Sequence, residues 1–171
     1  ATVSVTEQDS LLIAKAGDME ITLNARTGLL QEVKNAKGII PLTNGPILCE
    51  GESGFIRYTH RKEGNNVVIS GEFPRKAFMA KQEWTIYPSG WVKLQVKYFI
   101  KDYEAALAGI NFSFPEGIVK DIQWAGNGPY RVWKNRMKGV SLNVWNKAYN
   151  NTSTGDDQKL VYPEFKGFYS N

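Results

Sequence analysis

At 171 residues, with 42% hydrophobic and 12% aromatic content, the chain suits a single domain with a sizeable core, and its composition argues against disorder. A net charge of +4 is scattered rather than gathered into a basic block for a polyanion. One cysteine (Cys49) and one histidine (His60) exclude an internal disulfide and a metal site built on His/Cys spacing, and no run approaches the ~20 apolar residues of a membrane helix.

The opening "ATVSVTEQDS" has no charged-then-apolar signal pattern and reads as a cut inside a longer polypeptide. Strands are then predicted almost throughout. "MEITLN" alternates, "ARTG" turns and "LLQEVKN" alternates again; "AKG" is the next turn and "FIRYTHR" the next strand. Cys49 follows a short apolar run and is expected to be a buried small hydrophobe. "KEGNN" is a turn before "NVVISGEF", which places Val67, Ile69, Gly71 and Phe73 on one face. "FMAKQEWTIYP" likewise aligns Phe78, Ala80, Gln82, Trp84 and Ile86. "YPSGW" is a hairpin turn, and "WVKLQVKYFI" points Val92, Leu94, Val96, Tyr98 and Ile100 inward. "KDYEAALAG" is the best helix candidate, and "AGINFSFP" is a strand ended by proline. Asn146 to Leu160 reads as a polar loop. The fold class is therefore all-β, an antiparallel β-sandwich whose core includes Trp84, Val96, Ile110 and Phe112.

Chemistry is harder to find. Glu50 and Glu52 would share a face on a strand, but exposed acids in a Gly-rich turn are the simpler reading; Asp156 and Asp157 fall in the polar loop and read as solvated. No G-x-S-x-G elbow accompanies His60, and "GNGP" lacks the residues of a phosphate loop. The densest segment is "IQWAGNGPYRVWKNRMKG", Ile122 to Gly139. Trp124 is expected to end a strand, and Gly126, Asn127, Gly128 and Pro129 to form a tight turn with positive φ angles. Tyr130, Trp133, Arg136 and their basic neighbours follow. The residue types suit a sugar platform of aromatic faces with forked donors, a strip that stacks single-stranded bases, or core tryptophans with a loop pinned by Asn135 and Arg136. Acids interleaved along the chain argue against nucleic acid.

Residues 21 to 48, "ITLNARTGLLQEVKNAKGIIPLTNGPIL", resemble the opening of the C-terminal β-sandwich domain of β-galactosidases and relatives in glycoside hydrolase family 2. "INFSFPEGIVKDIQWAGNGPYRVWKNRMKG" is similar to that family's later block, a strand ending in "W-G-GP", and "YPEF-GF" to its "YPQE-G" segment. The order agrees from about residue 19 onward. Departures include Arg131, Val132 and Trp133 where the family usually carries Glu and Tyr, and Glu164 at its Gln position. The chain also stops before the strands that complete the family domain.

The resemblance implies a supersandwich fold like that of galactose mutarotases. It also implies that residues 1–171 are a single-domain fragment of a larger glycoside hydrolase, non-catalytic alone, because the family's catalytic carboxylates lie on a separate barrel. The implied partners are that barrel, in the same polypeptide, and a galactoside-like carbohydrate; no cofactor, metal, nucleic acid or membrane is implied. Residues expected to touch sugar are Trp124, Asn127, Tyr130, Trp133, Arg136 and Glu164. The family alone points to a periplasmic or secreted parent. The alternative is a mutarotase-type epimerase with His60 and either Glu164 or Glu83 as its acid–base pair.

Overall fold

The computed structural model describes residues 2–100, 108–128, 138 and 140–148. Two compact units divide the chain, Ala1–Phe114 and Pro115–Asn171.

The first unit is an all-β, antiparallel sandwich. One sheet runs in simple order through β1 (Ser4–Gln8), β2 (Leu11–Ala16), β3 (Met19–Asn24), β4 (Leu30–Asn35) and β5 (Gly38–Ile40). The second has β7 (Arg57–Glu63), β8 (Asn66–Glu72), β9 (Met79–Ile86) and β10 (Val92–Tyr98), again each beside its sequence neighbour. A ribbon of β6 (Thr43–Leu48) and β11 (Ile110–Ser113) completes the unit. Neighbouring strands need only tight connections. Gly64 at φ 60 turns β7 into β8, and in "YPSGW" the Gly90 N–H donates to the Tyr87 carbonyl at 2.9 Å.

The period-two pattern explains the packing. Leu12, Ala14, Ile21, Leu23 and Val33 from one sheet meet Val67, Ile69, Trp84 and Ile86 from the other. Leu23, Ile69 and Ile86 are 0% exposed. Each such side chain is worth roughly 1.5–3 kcal/mol in burial. Trp84 stands edge-on to Phe112, ring centroids 6.4 Å apart, so β11 also closes on this core.

Several expectations shift. Met79 is buried and Ala80 exposed, the reverse of simple alternation. A bulge opposite Lys97 and Tyr98 skips Ala80 in the β9–β10 register and changes the phase. Val96 and Ile110 are half-buried rather than fully internal. Cys49 is also half-buried, with its thiol 3.6 Å from Asn111 Oδ1. Strands β1 and β2 precede "MEITLN", the first strand predicted from the sequence. Most of the helix candidate from Lys101 lies outside the described residues.

One buried polar contact ties the sheets together. Asn24 Oδ1 accepts the N–H groups of Arg26 (2.9 Å) and Thr27 (3.1 Å), closing the "ARTG" turn onto Gly28 at φ 74. The Gly28 carbonyl accepts from Tyr58 Oη at 2.6 Å and from Gln82 Nε2 at 2.8 Å. Gln82, only 2% exposed, also donates to Tyr58 Oη at 2.8 Å. The buried Gln82 amide on β9 thereby donates to groups from two other elements, the β3–β4 turn and β7.

Candidate functional site

The described start of the aromatic segment, Ile122 to Gly128, lies on one strand of a two-stranded ribbon in the second unit. β12 (Asp121–Gly128) pairs with β13 (Ser141–Ala148) along its full length, from Asp121 opposite Ala148 to Gly128 opposite Ser141. A short 3-10 turn, Glu116–Ile118, precedes β12.

The expected turn at Gly126, Asn127 and Gly128 is therefore a strand end, and none of the three has a positive φ. These glycines serve packing rather than turning. Trp124 lies directly opposite Trp145, and alternation puts Ile122, Trp124, Gly126 and Gly128 on one face. A Cβ on Gly128 would meet Trp145 Cδ1 and Nε1 at 2.8 Å and Trp124 Cζ2 at 3.1 Å. Both indoles thus close over a residue with no side chain. Their N–H groups are committed to the ribbon: Trp124 Nε1 donates to the Asn127 carbonyl at 3.1 Å, and Trp145 Nε1 to the Gly126 carbonyl at 3.0 Å. Both tryptophans are half-buried, so part of each ring meets solvent. Such a surface offers apolar, electron-rich faces and no indole donor, which is chemistry for stacking against C–H groups.

Asn127 does not join this face. Its side chain alternates to the opposite side with Gln123 and Ala125, across from exposed Leu142. Tyr130, Trp133, Arg136 and Glu164 lie outside the described residues, as do Asp156 and Asp157. Trp145 was missed by sequence reasoning, which placed no strand at β13 and began a loop at Asn146, two residues before the strand ends at Ala148. The signal was the alternation of "SLNVWNKA" itself.

His60 and Glu83 are not brought together. His60 pairs with Ile69, which pairs with Trp84, and this row is on the core side of the second sheet. Glu83 pairs with Ser70 on the outer side, where Lys81 (3.0 Å) and Arg61 (3.5 Å) hold its carboxyl below the usual range. Among the described residues, the carboxylate paired with His60 is Glu7, 3.6 Å from Nδ1 at the sandwich edge. Glu50 and Glu52 occupy the loop after β6 and not a strand. Among the described residues, no three His, Cys, Asp or Glu side chains gather as a metal-binding group.

No protein-family model matches the chain, and a search of curated proteins likewise finds no match.

Proposed function

We propose that this chain is a non-catalytic β-sandwich accessory domain of a larger glycoside hydrolase resembling a β-galactosidase. In this reading it packs on the catalytic barrel of the same polypeptide and contributes to carbohydrate binding. The observation that carries the sugar contact is the Trp124–Trp145 pair, two indoles side by side with their donors already used. Aromatic faces of this kind favour the C–H surface of a pyranose over a charged or strongly hydrogen-bonding ligand. The resemblance supplies the parent class: the Thr27–Gly28 start of its "TG-L" motif lies in the Asn24–Gly28 turn, and Trp124, Gly126 and Gly128 of its "W-G-GP" motif lie on β12.

The test is titration with galactose, lactose and longer plant oligosaccharides, following tryptophan fluorescence and heat. A saturable response with Kd in the millimolar range, lost in Trp145→Ala, is expected. No response at about 50 mM removes the sugar contact, since affinity then falls below any useful level. Cleavage of a chromogenic galactoside by the chain alone removes the non-catalytic assignment.

A further inference from the structure

A different feature lies in the first unit. The β3–β4 turn and the start of β6 border an open, shallow cleft of about 410 Å³, lined by Asn24, Thr27, Gln31, Thr43 and Asn44 beside Leu29. That volume is within the ~300–1,000 Å³ usual for small-ligand clefts. None of these residues ionises.

The polar walls are fixed from behind. Asn24 Oδ1 holds the turn through the Arg26 and Thr27 N–H groups, and Asn24 Nδ2 donates to Gln31 Oε1 at 3.4 Å. Asn44 Nδ2 donates to Ser113 Oγ at 3.2 Å, and Thr43 Oγ1 to the Ser113 carbonyl at 3.5 Å. Asn44 is also held at φ 55, a left-handed conformation that few residues other than glycine adopt. Gln31 Nε2, Asn44 Oδ1 and Thr27 Oγ1 make no hydrogen bond among the described residues. They are respectively a donor, an acceptor and a group that can be either.

We infer that this cleft binds an uncharged, hydroxyl-rich ring of monosaccharide size. Hydroxyls match a mixed set of donors and acceptors because each can play both roles. Leu29, which is half-buried, gives the C–H face an apolar contact, while Leu30 belongs to the core beneath. A phosphate, carboxylate or ammonium would find no opposite charge among the residues lining it. This site is independent of the tryptophan ribbon, so either can fail alone.

The experiment is an amide-resolved NMR titration of the 171-residue chain with glucose, galactose and xylose, and with glucuronate as the charged control. Neutral sugars should shift the side-chain amides of Gln31, Asn24 and Asn44 and the Thr27 N–H, saturating at millimolar concentration. Gln31→Ala and Asn44→Gly should each weaken binding about fivefold, as expected for one lost hydrogen bond. Glycine at 44 keeps the backbone angle, and the exposed Gln31 makes no core contact, so both variants should keep wild-type spectral dispersion. Trp124→Ala should leave the Gln31 shifts unchanged. The inference is overturned if no neutral sugar shifts these amides at about 50 mM. Glucuronate binding as tightly as the neutral sugars, or Gln31→Ala binding like wild type, overturns it equally.

Discussion

Gly28→Ala probes the junction between the two sheets. At φ 74 an L-residue costs about 1–2 kcal/mol in backbone energy. The added Cβ would also enter the Phe55 ring, 2.5 Å from Cγ and 2.9 Å from Cε2. That ring is confined on two sides, by Tyr58 at 4.7 Å and Phe73 at 5.9 Å between centroids. Overpacking of this kind costs about 1–3 kcal/mol. Phe55 is half-buried and can yield toward solvent, so the combined loss should be about 2–4 kcal/mol. With a urea slope near 2 kcal/mol per molar, the unfolding midpoint should fall by about 1–2 M. Gly17→Ala is the control: its φ is 60 and nothing lies within 4 Å of the new Cβ, so only the backbone cost applies. Its midpoint should fall by about 0.5–1 M. Adding Phe55→Leu to Gly28→Ala should recover part of the difference. Equal midpoints for the two alanine variants would refute the packing argument.

Burial pushes the Tyr58 phenol above its ordinary value of 10, so the unfolded chain loses this proton first as pH rises. The stability it contributes is complete below about pH 10 and declines above it; Tyr58→Phe should flatten that decline in urea midpoints, at a cost of about 1 kcal/mol at neutral pH. Gln82→Leu should cost more, about 1–3 kcal/mol, because it takes one donor from the Gly28 carbonyl and one from Tyr58 Oη in a buried site. At the acid end, Lys15 (2.6 Å) and Lys34 (2.5 Å) hold the Glu20 carboxyl below 4.5. Stability from Glu20 is therefore present above that value and lost as pH falls through the folded titration; Glu20→Gln should flatten this acid loss, and molar salt should shrink the difference. In the ribbon, Gly128→Ala should wedge the indoles apart, reducing near-ultraviolet circular dichroism and abolishing any sugar-induced fluorescence change.

Where alternation runs unbroken the sequence reveals the core. Val67, Ile69, Trp84 and Ile86 fall inward as their period-two spacing predicts, because each strand pairs with the next in the chain. The pattern fails where pairing, not spacing, sets the phase. Met79 displaces Ala80 because of a bulge created with β10, and nothing within β9 announces it. Gly126–Asn127–Gly128 misleads for a related reason. Such residues normally mark a turn, but here a neighbouring strand brings Trp145 over Gly128, so the missing side chain makes room for a ring. Half of the candidate site was thus legible as residue type, while its geometry came from a strand that composition did not reveal.

Gln82 bears on how the family likeness should be weighed. Its place in the alternation puts an amide among apolar side chains, which demands partners that no local pattern names. They are the Gly28 carbonyl, 54 positions earlier, and Tyr58. Gly28 belongs to the "TG-L" turn that carries much of the resemblance to the glycoside hydrolase domain. That motif therefore has a complete physical explanation in packing: a left-handed glycine under an aromatic ring, with its carbonyl accepting two buried donors. Any sandwich built this way would select for it, whatever the domain binds. The likeness at residues 21 to 48 bears on architecture, so the sugar contact proposed for the accessory domain rests on the ribbon, where the indole N–H groups of Trp124 and Trp145 are spent on backbone carbonyls, and the neutral cleft beside the turn stands on its own residues.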